Sequence, residues 1–339
     1  MYNFRNSDLI LEAKKSKFIP RTGVLFIIAI VVYYVTQYIS ALPLSVILGI
    51  ILGLKLGTEG NIPVDESGQL LIDTEEYQQM IMDFLTSKES TLITLLLTGV
   101  TIIACIIFCK GVEKRSMYSM GFVKKKALPS YILGLLTGFL MLFACYLICA
   151  VTGALEFKGI NSALDEKFFI LFFIAFIIQG AAEEIFMRGF LMISAARNSS
   201  VASAVILNSV IFAFLHYGNT GFGLVPLLNL LLFGIFASLY MLRSGNIWGV
   251  CAIHTAWNFA QGNIFGLPVS GINVHESLFL TSVSEIRAST NGGEFGLEGG
   301  VAVSLVLLIS IMLVVFLPSK NNQPYVPENK EDLKPEGEI

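Results

Sequence analysis

The chain has 339 residues, of which 55% are hydrophobic and only 14% charged, and its mean hydropathy is +0.73. A soluble domain is typically about a quarter charged, so the composition excludes an ordinary soluble protein and implies an integral membrane protein. The net charge of −3 carries none of the basic excess that nucleic-acid binding uses, and no nucleic-acid partner is expected.

Residues 1–21 form a polar, basic cytoplasmic leader, and the apolar run that follows is longer than the h-region of a signal peptide, so it is a retained anchor. A helix needs about 20 apolar residues to cross the hydrocarbon core. That rule gives eight candidate spans: 22–54, 91–109, 130–153, 168–196, 200–216, 221–242, 246–265 and 299–317. The first is too long for one straight crossing, and Pro43 is expected to kink or end it. With the first run as one crossing and an inner amino terminus, sixteen lysines and arginines fall on the inner side. Only Lys55, Lys88, Lys158, Lys167 and Arg287 fall outside. The positive-inside rule therefore places both termini in the cytoplasm. The expected fold class is all-α, a polytopic transmembrane helical bundle of about eight spans.

The regions divide accordingly. Residues 22–167 hold the first transmembrane helices and an acidic outer loop at 56–90. Residues 168–265 form a core, 266–298 a Gly-, Ser- and Asn-rich outer loop, and 299–317 the last helix. Both outer loops are read as solvated connectors, and the Pro-, Lys- and Glu-rich tail 318–339 as a disordered cytoplasmic segment. Five cysteines (Cys105, Cys109, Cys145, Cys149 and Cys251) lie in apolar runs without zinc-finger or disulfide spacing and read as small core- or lipid-facing hydrophobes. Gly134 and Gly138 form a GxxxG that permits close helix contact, a pattern also common by chance.

Within these apolar segments stand three polar clusters, each costly at hydrocarbon depth unless paired inside the bundle. In the fourth span, Glu184 and Arg188 are four apart and share a face, so they can form an ion pair. Glu183 lies about 100° around the same helix and escapes the arginine. Glu184 and Arg188 are therefore structural, and Glu183 is the carboxylate available to take a proton from water. The fifth span ends at His216, four residues after Phe212; its imidazole could hold a water against Glu183, and Asn208 is a weaker candidate on roughly the same face. The seventh span carries His254 and Asn258, again four apart. Their N–H groups could stabilise an oxyanion at a peptide carbonyl. Equally, Glu183, His216 and His254 could supply zinc ligands. The cofactor is therefore a divalent metal such as zinc, or none. His275 belongs to the outer loop and is read as solvated. Counted from the expected helix ends, Glu183 and His254 fall toward the inner leaflet and His216 toward the outer one, a mismatch in depth that the fold has to resolve.

These residues resemble the CPBP family of CAAX-protease and bacteriocin-processing intramembrane proteases, also called Abi. Its motifs EExxxR, FxxxH and HxxxN/D correspond to Glu183–Glu184–Arg188, Phe212–His216 and His254–Asn258, in order and with the same spacing. The resemblance covers residues 168–265. It implies an eight-span helical protease akin to the type II CAAX prenyl proteases. In this family Glu183 and His216 would activate water, while His254 and Asn258 would form the oxyanion site. It also implies a membrane-embedded, lipidated or precursor-peptide substrate, surrounding lipids as partners, and a multi-pass protein; the short loops suggest a bacterial cell membrane. The competing readings are a non-catalytic scaffold or bacteriocin-immunity protein, and a transporter using Glu, Arg and His as a relay, although no repeated halves are visible.

Overall fold

The computed structural model describes Phe4 and residues 7–16, 18, 20–58 and 75–318. The chain begins with α1 (Asp8–Ala13), a short turn whose Leu9, Ile10 and Ala13 are buried. The leader thus contributes an apolar face that packs beside Tyr118–Met120 and the end of the fourth long helix. Next comes α2 (Thr22–Thr58), and it does not end at Pro43: the helix runs through the proline for 37 residues. The acidic segment 56–90 contains α3 (Glu75–Leu85), so its last part is helical rather than a solvated connector, while 59–74 lie outside the described residues. The tail from 319 also lies outside them.

α4 (Lys88–Leu97) starts at Ser87, whose hydroxyl accepts from the Ser90 N–H, and α5 (Gly99–Ile107) continues it after Thr98. α6 (Ala127–Val151) follows, then the strand β1 (Leu155–Ile160). Asp165 caps α7 (Glu166–Glu184) by accepting from the N–H groups of Lys167 and Phe168. The Phe168 bond, helped by the nearby Lys88 ammonium, holds the Asp165 carboxyl below its ordinary pKa. The same rod proceeds through wide π-helical turns at Ile185–Met192 into α8 (Ile193–Ala196). Then come α9 (Val201–Phe214), α10 (Leu224–Ser244) and α11 (Trp248–Phe259), the last widening into π turns at Ala260–Ile264. Strand β2 (Phe279–Val283), a single turn α12 (Ala288–Asn291) and α13 (Val301–Phe316) complete the chain.

The fold is mostly α-helical with one addition to the all-α expectation. β1 and β2 pair as an antiparallel ribbon, Leu155 opposite Val283, with a bulge between Phe157 and Gly159. The segment 266–298 is also no solvated connector. It buries Glu276, Asn291, Phe295 and Glu298 and folds back over the ribbon end of the bundle, while His275 and the stretch 285–289 are exposed, as the solvated reading expects.

Five of the described helices are long and apolar enough to cross a membrane: 22–54, 88–112, 127–151, 166–196 and 224–244. The distribution of side chains supports that setting. Leu128 is 68% and Val151 87% exposed, whereas Glu184 and Arg188 are fully buried. Apolar atoms outside and paired charges inside is the arrangement lipid selects.

Two contacts position the core. A Cβ on Gly134 would lie 2.3 Å from the Gly249 carbonyl oxygen, and one on Gly138 would lie 2.3 Å from that of Ile253. The GxxxG of α6 is therefore the seat of α11, and the five cysteines are all free and buried. At the end opposite the ribbon, Glu113 is enclosed by Arg115 at 2.7 Å, by Arg197 and by the Ser194 hydroxyl at 2.8 Å. Arg197 also donates to Ser16 and to the Phe18 carbonyl, clasping the leader to the bundle. Arg115 and Arg197, counted from sequence among the inner-side cations, are thus buried structural groups.

Candidate active site

The depth mismatch disappears once the rods are followed. α7 and α8 form one rod ending at Ala196, so Glu183 stands thirteen residues, about 20 Å, back from that end. His216 stands fifteen residues, about 22 Å, beyond the start of α9 at Val201. The two reach the same level because the first runs down and the second runs up. π turns of the kind found after Glu184 and after Phe259 often occur at functional sites.

Glu183, His216, His254 and Asn258 all line a single cavity of about 230 Å³, together with Gln179, Phe212, Phe233 and Trp257. Glu184 and Arg188 do not line it; they are sealed behind. Glu184 Oε1 lies 2.9 Å from Arg188 Nη1, and the guanidinium is stacked 4.8 Å from the centre of the Phe212 ring. The sequence reading of Glu184 as the arginine's partner was incomplete, because the same oxygen lies 2.8 Å from His254 Nδ1. An ionised carboxylate only accepts, so Nδ1 carries a proton and Nε2 is left facing Glu183 Oε2 at 3.6 Å. Arg188, Glu184 and His254 therefore form one chain that fixes the imidazole's rotation.

Glu183 is partly exposed to the cavity, and one of its oxygens is held. Gln179 Nε2 donates to Glu183 Oε1 at 2.5 Å, and Asn258 Nδ2 donates to Gln179 Oε1 at 3.0 Å. The carboxylate sets the direction of this relay: it needs a donor, which turns the Gln179 oxygen toward Asn258. Glu183 Oε2 has no hydrogen-bond partner among the described residues. Gln179 opens the fourth-span polar stretch in sequence, but its role was not legible there, because its second partner is 79 positions away. His216 is oriented by its own helix end. Its Nδ1 lies 2.9 Å from the Phe212 carbonyl, which can only accept, so in the neutral ring Nε2 is the free acceptor. Asn208 stays behind the site, donating to the Ser238 hydroxyl at 2.9 Å.

Among the described residues no three His, Cys, Asp or Glu side chains are grouped so as to hold a metal ion. Glu183, His216 and His254 share the cavity, and the Glu184 contact at His254 Nδ1 leaves Nε2 directed at Glu183.

Residues 165–260, fewer than a third of the chain, match the family model described as Type II CAAX prenyl endopeptidase Rce1-like. All six candidate residues fall within that stretch. No curated protein and no solved structure matches the chain. The family match, with the buried Glu184–His254 pair inside it, supports general membership of the CAAX-protease superfamily.

Proposed function

We propose that this chain is a CPBP-type intramembrane endopeptidase that hydrolyses a peptide bond in a membrane-embedded, lipidated or precursor peptide. The observation that carries this reading is the convergence of Glu183, His216, His254 and Asn258, from three separate helix segments, on one cavity. Water held between the Glu183 carboxylate and His216 Nε2 attacks the scissile carbonyl carbon, and its proton passes to Glu183. The negative charge developing on the carbonyl oxygen is met by the second N–H of Asn258 and by His254 Nε2–H when the ring carries both protons. The C–N bond then breaks and Glu183 returns the proton to the leaving amine, while the second proton of the water stays on the new acid. The products are a carboxylic acid and an amine, which together become a carboxylate and an ammonium group. Glu184 and Arg188 touch neither water nor substrate and act by holding His254.

In the same reading the bundle crosses the membrane eight times, through α2, α4–α5, α6, α7–α8, α9, α10, α11 and α13, with both termini in the cytoplasm of a bacterial cell. A substrate helix must lose its internal hydrogen bonds before its carbonyl can be attacked, and a water-containing cavity allows that where lipid does not.

The test is a comparison of membrane peptidomes from cells making the natural chain or its Glu183→Gln form. The proposal expects one or more membrane-associated precursors to stay uncut in the variant. Identical peptidomes, with biological activity retained by Glu183→Gln, would instead point to the scaffold or immunity reading.

A further inference from the structure

Glu298 lies outside the stretch matched by the family and outside the six candidate residues, yet it lines the same cavity. It is 9% exposed, and both of its oxygens are engaged. Oε1 accepts from the Trp257 indole N–H at 3.1 Å. Oε2 accepts from the backbone N–H of Ser270 and from its hydroxyl, each at 2.7 Å, with Gln261 Nε2 at 3.5 Å. A buried carboxylate supplied by four donors is equipped to hold geometry rather than to bind a ligand.

Two of its partners, Trp257 and Ser270, lead to the candidate active site. Trp257 sits on α11 between His254 and Asn258, and its ring packs 5.8 Å from that of Phe233, which in turn lies 5.1 Å from the His254 ring. Ser270 occupies a tight turn closed by the Val269–Ile272 bridge, with φ at +48°, a left-handed conformation that a serine keeps only when its surroundings hold it. The Ser270 carbonyl accepts from Asn219 Nδ2 at 2.8 Å, and Asn219 is three residues beyond His216. Val269, Ser270 and Ile272 form part of the cavity wall.

We propose that Glu298 is a positioning residue. It latches the 269–272 turn over the cavity and, through Trp257 on one side and Ser270–Asn219 on the other, fixes the spacing between His216 and the His254–Asn258 pair. The latch stands on its own contacts; its consequence for turnover rests on the endopeptidase reading.

The chain has two tryptophans, so a Trp248→Phe background leaves Trp257 as the only indole and makes the latch visible by fluorescence. In that background, full-length protein in lipid nanodiscs is compared with its Glu298→Gln and Glu298→Ala forms for emission maximum and acrylamide quenching. Glu298→Ala is expected to shift Trp257 emission and raise its quenching, while Glu298→Gln, which keeps one carbonyl acceptor, falls between. In cells, loss of hydrogen bonds to a charged group is expected to lower the yield of the cleaved peptides by about ten-fold or more for Glu298→Ala. Partial recovery of that yield in Glu298→Gln supports positioning. Unchanged emission and quenching in Glu298→Ala would overturn the proposal. Should Glu298→Ala fail to fold, Ser270→Ala, which removes only the hydroxyl bond, decides it by the same two readings: raised quenching supports the latch and unchanged quenching overturns it. If the natural and Glu183→Gln peptidomes coincide, the endopeptidase reading falls, while Trp257 still decides the latch.

Discussion

Two adjacent glutamates have opposite fates in this fold, and one helical step separates them. Glu184 faces Arg188 and His254 with no exposure, and Glu183 turns to the cavity. Their difference in phase was legible from spacing alone, as was the Glu184–Arg188 pair. The Glu184–His254 contact and the Gln179 relay were not, because they join residues 70 or more positions apart and no local period encodes them. The contrast yields a paired prediction. Glu183→Gln keeps shape and the Gln179 contact, so stability should stay within about 0.5 kcal/mol while turnover falls about 10²–10⁴-fold. Glu184→Gln leaves Arg188 buried without its counter-charge, a loss of about 3–5 kcal/mol for such pairs. Thermal midpoints of the two variants in nanodiscs check this; equal midpoints would remove the division between a working and a supporting carboxylate.

At the scale of elements, helix existence and approximate bounds followed from apolar run length, since lipid imposes a minimum span that composition exposes. Interruptions and connectors were less legible. Pro43 was expected to kink or end the first run, and it does not end it, because α2 continues through it. The Gly- and Ser-rich segment 266–298 looked like solvated loop, but its few apolar and acidic side chains fold it onto the bundle. The GxxxG of α6 was legible only as a pattern; its weight comes from its partner, the backbone of α11 at Gly249 and Ile253. A side chain at Gly138 must displace α11 and with it His254. Gly138→Val should therefore lower stability by about 1–3 kcal/mol or more and abolish turnover. Gly111, where an added Cβ would meet nothing within 4 Å, serves as the control: Gly111→Ala should change neither. Thermal unfolding and cleavage assays on both variants distinguish a packing seat from a chance motif, and a neutral Gly138→Val would show that α11 is held elsewhere.

For the whole molecule, the charge bias and the inside-out distribution of apolar side chains carry the membrane reading. Two of the cations assigned to the inner side, Arg115 and Arg197, are committed to the buried Glu113 clasp, while Lys14, Lys15, Arg21, Lys110, Lys114 and Lys124 of that set are exposed. The orientation predicts that Lys124 is cytoplasmic and Lys158, on the ribbon, faces outward; both side chains reach the surface, and the native cysteines are buried. A membrane-impermeant maleimide added to intact cells should label Lys158→Cys and spare Lys124→Cys. Labelling of the reverse pair would invert the topology.

The most direct measurement of the central claim is hydrolysis in ¹⁸O-enriched water. Purified natural protein and its Glu183→Gln, His216→Ala and Asn258→Ala forms would be given the membrane precursor that accumulates uncut in Glu183→Gln cells. The account predicts that the natural protein places one ¹⁸O in the new carboxylate, that Glu183→Gln places almost none, and that the other two are strongly slowed. Equal incorporation by the natural and Glu183→Gln proteins, or none by either, would contradict it.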